Sequence, residues 1–178
     1  MSVIELRTPA EIEQMRPAGR FVASVLEATS KAAAVGMNLL ELDDLTREMI
    51  RAAGAESCYV DYHPSFGGSP FGKVICTSVN DAVLHGLPHD YRLRDGDLLS
   101  LDFAASVNGW VSDSAISIVV GTPRDGDLRL IDTTRRALAA GGDVTTAPVL
   151  RADAPPPASL VGLVLDRYAE ALALWRAA

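Results

Sequence analysis

Leu98-Leu99-Ser100-Leu101-Asp102-Phe103-Ala104-Ala105-Ser106-Val107-Asn108-Gly109-Trp110-Val111-Ser112-Asp113-Ser114-Ala115 holds two strand-like runs about an Asn-Gly pair. Both centre positions of a tight hairpin turn need positive φ, which Asn and Gly supply at least cost. Asn-Gly between β-prone runs is therefore the strongest short hairpin signal a sequence offers. A two-residue turn also sets the register. Val107 opposes Trp110, Phe103 opposes Ser114, Ala104 opposes Asp113 and Asp102 opposes Ala115. Side chains two apart on one strand share a face. Asp102 and Asp113 thus become diagonal neighbours on one face, about 7–8 Å apart between backbone positions.

That pairing has chemical consequences. Asp102 stands in an apolar run, where a bare carboxylate is costly to bury. Facing carboxylates repel, which raises one pKa unless a cation lies between them. Two hydrolytic metals sit about 3.5–4 Å apart, a spacing that one bridging and one chelating carboxylate can span. The same spacing also suits a solvated aspartate pair on a hairpin face, and geometry leaves both readings open. His85-Gly86-Leu87-Pro88 precedes the hairpin. A lone histidine before Gly-x-Pro is more often a loop or core residue than a catalytic one. Tyr62, His63, Cys58 and Cys76 say little one by one, and the cysteines default to small buried hydrophobes.

Outward from the hairpin, Thr8-Pro9-Ala10-Glu11 reads as a capped helix start, with Pro9 at the first helical position. Ile12, Met15, Val22, Val25, Leu26 and Thr29 follow with helical spacing. Pro17 is expected to kink this helix or divide it, and Gly36 to stop it. A second helix is predicted over Leu40–Ala53, with Leu42, Leu45, Met49 and Ile50 inward and Gly54 at its end. Ser65–Gly72 is a Gly- and Pro-rich loop. Strands are predicted over Lys73–Val79, Leu98–Val107 and Trp110–Val120, and a third helix over Asp127–Ala140. Pro155-Pro156-Pro157 then reads as a stiff spacer.

The chain has 178 residues, enough for one domain or most of one. Its net charge of −7 argues against nucleic-acid binding and against anionic membranes. No apolar run has the length of a membrane span. Two cysteines make no disulfide framework, so a reducing cytoplasm is the expected compartment. Only Lys31 and Lys73 are lysines among 16 basic side chains, a bias that points to GC-rich coding rather than a basic patch.

The stretch Ile75-Cys76-Thr77-Ser78-Val79-Asn80-Asp81-Ala82-Val83-Leu84-His85-Gly86-Leu87-Pro88 is the most specific in the chain. With Asp95-Gly96-Asp97-Leu98-Leu99-Ser100-Leu101-Asp102 and Gly109-Trp110-Val111-Ser112-Asp113, it resembles type I methionine aminopeptidase, a metallopeptidase of the pita-bread fold. The resemblance runs from Thr8-Pro9-Ala10-Glu11 to Leu138-Ala139-Ala140-Gly141. It implies an α+β fold, the N-terminal half of a pita-bread domain. A curved antiparallel sheet would be covered by helices, and a non-family C-terminal helix would follow. Residues 1–141 would form the incomplete family domain, 142–158 a Pro-rich linker and 159–178 an apolar helix.

The resemblance also implies roles. Asp102 looks like the carboxylate that chelates one metal, and Asp113 like the one that bridges both. His85 looks like the histidine that contacts substrate and assists at the scissile amide. Tyr62 and Cys58 look like parts of the pocket for the methionine side chain. The implied cofactors are divalent ions, two per site, drawn from cobalt, manganese, iron or zinc. The implied partner is the N-terminal methionine of nascent polypeptides, in a cytoplasmic monomer. Proline-directed peptidases share the fold and both aspartates. His85-Gly86-Leu87-Pro88 and the short lead-in before it favour methionine aminopeptidase.

The family completes its site with a metal-ligating histidine and two glutamates from the second half of the fold. Here no histidine follows His89, and Glu170 is the only glutamate after Glu56. Three expectations follow. The chain is a truncated or frameshifted member, inactive alone, and the Ala-, Pro- and Leu-rich sequence after Gly141 is what out-of-frame reading of GC-rich DNA yields. Alternatively it is a peptide- or partner-binding module of the same fold. A third reading has a second chain completing the site in trans.

Overall fold

The computed structural model describes residues 7–63 and 68–145. The predicted apolar helix at 159–178 and most of the predicted linker lie outside the described residues.

Helix α1 spans Pro9–Ala32 and helix α2 spans Leu39–Ala53. Each begins with a reciprocal capping box. The Thr8 hydroxyl accepts from the Glu11 N–H while the Glu11 carboxylate accepts from the Thr8 N–H. Asn38 and Glu41 do the same for α2. Two N-terminal N–H groups that the helix itself cannot satisfy are thereby satisfied at each end. Gly54 closes α2 in the left-handed conformation, at φ 61°. Pro17 does not divide α1, which is one helix throughout. The helix ends at Ala32, short of the expected Gly36.

The sheet is built around one strand. β1 is Glu56–Ser57, β2 is Cys76–Val79, β3 is Leu98–Val107 and β4 is Trp110–Val119. All pairings are antiparallel and all involve β3. β4 pairs with β3 along its whole length, from Val107↔Trp110 to Leu98↔Val119, which is the register the Asn108-Gly109 turn dictates. One edge of β3 is thereby filled. β1, at Ser106 and Ala105, and β2, at Asp102 to Leu99, must therefore share the other edge in succession. The strand predicted over Lys73–Val79 begins only at Cys76, because Val74 is tied elsewhere. Its N–H donates to Asp43 Oδ1 at 2.8 Å. Asp43 is buried on α2 and also meets Arg47 Nε at 3.1 Å and Lys73 Nζ at 3.7 Å.

Alternation along β3 divides the sheet into two faces. Leu99, Leu101, Phe103 and Ala105 are fully buried against the helices. With Val22, Val25, Leu26, Leu39, Leu42 and Ile75 they form one apolar core. Phe21 meets Phe103 edge to face at 6.1 Å between ring centroids. Ser100, Asp102 and Ala104 point the other way, onto the face that carries the aspartates.

Among the described residues, the apolar core lies within Thr8–Pro123, one of two compact units. Helix α3 spans Asp125–Thr145 in the other unit and continues past the expected end at Ala140. Among the described residues no helix is long and apolar enough to cross a membrane.

Candidate metal-binding site

Asp102 and Asp113 converge as the hairpin register requires, and their carboxyl groups come within hydrogen-bonding reach of each other. Desolvation is the largest influence on Asp113, followed by the Asp102 charge and the contact with its carboxyl. Together they raise the Asp113 pKa, and His85 opposes the rise. His85 is therefore near enough for its charge to act on Asp113, although it is 28 residues away from Asp113 in sequence, by the difference of their numbers.

Local structure explains how His85 gets there. Residues 80–86 fold back over β2. The Thr77 N–H donates to the Gly86 carbonyl at 2.7 Å, and the Gly86 N–H donates to Ser78 Oγ at 3.0 Å. A Cβ at position 86 would collide with the Thr77 carbonyl and lie 2.8 Å from Ser78 Cα, so only glycine permits this approach. His85 takes a φ of +54°, a left-handed conformation uncommon for a side-chain-bearing residue and concentrated at functional sites. At the far end of the loop Asp97 is buried, accepting from the Asn80 amide, the Tyr91 hydroxyl and the Arg94 N–H. Those donors lower its pKa despite its burial.

Two further side chains reach the pair from the other edge of β3. Cys76 stands directly opposite Asp102 on β2 and is buried. Burial first, then the Asp102 and Asp113 charges, push its thiol pKa up to about 12. The Tyr59 hydroxyl donates to Asp102 Oδ1 at 2.8 Å. Burial and this bond raise the Tyr59 pKa well above its usual value. Neither residue is singled out by sequence reasoning. Cys76 is only a default hydrophobe until its register with β3 is known, and Tyr59 is silent because its partner lies 43 residues away.

Cys58 sits in the same turn as Tyr59, its N–H on the Ala104 carbonyl at 3.4 Å. Its thiol pKa is raised by burial, then by Asp113 and Glu56, which puts the side chain on the aspartate face. Tyr62 lies at the exposed end of this turn. Its side chain is 60% exposed, and among the described residues no hydrogen bond joins its hydroxyl to either aspartate. The structure thus brings His85, Asp102, Asp113 and Cys58 together, with Tyr59 and Cys76, and leaves the Tyr62 side chain facing solvent.

The donor chemistry fits a divalent cation. Two hard carboxylate oxygens converge, and their mutual repulsion is what a cation relieves. The number of donors does not close a site. Among the described residues no group of three His, Cys, Asp or Glu side chains is arranged to hold a metal.

Comparison with known proteins agrees with this geometry. Residues 13–151 match the model of metallopeptidase family M24. Methionine aminopeptidase 1 of Mycobacterium tuberculosis is 40% identical over 140 residues, which is 78% of this chain and 50% of that protein. Methionine aminopeptidase 1 of Bacillus subtilis is 37% identical over 139 residues, 78% of this chain and 54% of that protein. The crystal structure of methionine aminopeptidase from Rickettsia prowazekii superposes with a TM-score of 0.72 at 30% identity, covering 78% of this chain and 53% of that one. The chain spans about half the length of the curated relatives it matches. Its described residues carry the antiparallel sheet and helices of half a pita-bread fold. A hairpin that sets two aspartates on one face, a histidine loop folded back on the neighbouring strand β2 and a match over most of this chain all point one way: the chain belongs to metallopeptidase family M24.

Proposed function

We propose that this chain carries the aspartate half of a methionine aminopeptidase site. In this reading Asp102 and Asp113 hold divalent metal, His85 contacts substrate beside the scissile amide, and Cys58 and Tyr62 border the pocket for the methionine side chain. The reaction is removal of the N-terminal methionine from nascent polypeptides, which belongs in the cytoplasm. Divalent ions, when bound, supply water activation and carbonyl polarisation. Cobalt, manganese, iron and zinc are the candidate ions. The protein's own contribution is to hold the two carboxylates on one face and to keep His85 near them. The observation that carries the proposal is the hairpin register that sets Asp102 and Asp113 on one face, with their carboxyl groups within reach of each other.

A second reading rests on the absence of a third ligand among the described residues. Two carboxylates leave most of a metal's coordination to water, which makes weak binding the expectation. The chain would then keep peptide or partner binding without hydrolysis. One assay separates the two. Release of methionine from a Met-Ala-Ser peptide is measured with added manganese or cobalt, for the parent chain and for Asp102→Ala. Release abolished by Asp102→Ala supports the aminopeptidase. No release by folded parent chain supports the binding module.

A further inference from the structure

Among the described residues, Tyr59 is the one side chain, apart from Asp113, seen to touch Asp102 with a polar atom. Its position is fixed from several directions. The Tyr59 and Val60 N–H groups donate to Ser57 Oγ at 3.1 and 3.3 Å. The Tyr62 N–H closes the turn onto the Tyr59 carbonyl at 3.0 Å. The far side is held by Phe71 N–H to the Tyr62 carbonyl at 2.9 Å and Gly72 N–H to the Val60 carbonyl at 3.1 Å. Phe71 also packs edge to face on the Tyr59 ring at 5.8 Å. Arg47 Nη2 in turn donates to the Gly72 carbonyl at 2.9 Å, tying this segment to α2. The phenol is thus aimed at Asp102 by the frame around it.

From this geometry we infer that Tyr59 is a positioning residue for the metal-binding carboxylate. It occupies Asp102 Oδ1 and leaves Oδ2 to a cation. The inference rests on the metal-binding reading of the pair and deepens it. A neutral donor on a ligating carboxylate fixes the orientation of that carboxylate, and loss of such a partner typically weakens metal affinity by about 10–100-fold. The hydroxyl therefore does more than pack. Removing it while keeping the ring must change cation affinity without changing the fold.

The test uses the full chain and manganese alone. Free Mn(II) is followed by electron paramagnetic resonance during titration of the parent, Tyr59→Phe, Phe71→Leu and Asp113→Asn chains, and each variant is melted without metal. The expected result is roughly tenfold weaker Mn(II) binding in Tyr59→Phe with a melting temperature close to that of the parent. Phe71→Leu, which keeps the hydroxyl, is expected to lower the melting temperature and to move the affinity less. Equal or tighter binding by Tyr59→Phe overturns the inference while leaving the site itself intact, provided Asp113→Asn abolishes binding. Binding that survives Asp113→Asn, or no saturable binding by the parent, overturns the metal-binding reading and this inference with it.

Discussion

Asp113 shows how a single carboxyl couples the site to the stability of the chain. Its pKa is raised from 3.8 by burial and by Asp102. Between 3.8 and the raised value the folded chain binds more protons than the unfolded one. Its contribution to stability is therefore full below 3.8 and lost as pH rises through the folded value. Asp113→Asn removes that loss. In chelator, melting curves from about pH 3 to about pH 7 should show parent and variant drawing together in acid, with the variant melting higher at neutral pH. A parent profile that persists unchanged in the variant would mean that carboxylate repulsion is not its cause. Thr77 offers a second case. Its Oγ1 is buried with no hydrogen-bond partner among the described residues, on the core face of β2 opposite Leu101. Thr77→Val removes an unsatisfied hydroxyl at nearly constant shape, so urea unfolding should show a gain of about 1 kcal/mol. An unchanged or lower midpoint would show that the hydroxyl is satisfied in solution.

At the level of elements, the 80–86 loop depends on one missing side chain. Gly86→Ala would set a methyl against the Thr77 carbonyl and Ser78 Cα, both backbone, so the loop must lift or β2 must shift. A cost of about 1–3 kcal/mol is expected, in the range of overpacking. Nuclear magnetic resonance should show the His85 ring leaving the environment of Asp113, and a ring that stays in place would refute the account. The same scale explains what was legible in the sequence. The β3–β4 register could be read because a two-residue Asn-Gly turn leaves no freedom to slip. Both N-terminal helices could be read from caps and spacing, each a local property. Tyr59 and Cys76 could not, because β1 and β2 meet β3 across long connections whose register no turn dictates. Pro17 did not divide the helix as the sequence allowed, and α1 runs on past it.

For the molecule as a whole, the core decides what folds with what. Among the described residues, every buried member of the apolar cluster lies between Val22 and Val120. A chain ended at Pro123 should therefore unfold cooperatively at nearly the parental midpoint, as followed by circular dichroism. A midpoint more than about 10 °C lower would show that the remainder is part of the cooperative unit. Within that unit one strand serves two masters. Leu99, Leu101, Phe103 and Ala105 of β3 answer to the core, and Ser100, Asp102 and Ala104 lie on the face of the carboxylate pair. A saturation library over Leu98–Val107 should thus split by parity. Scored for cellular abundance, it loses variants at Leu99, Leu101, Phe103 and Ala105. Scored for cation binding, it loses them at Asp102 and its same-face neighbours. Selection can rewrite one set of letters while leaving the other untouched, so the chemistry of this face is free to drift on a strand whose folding is conserved.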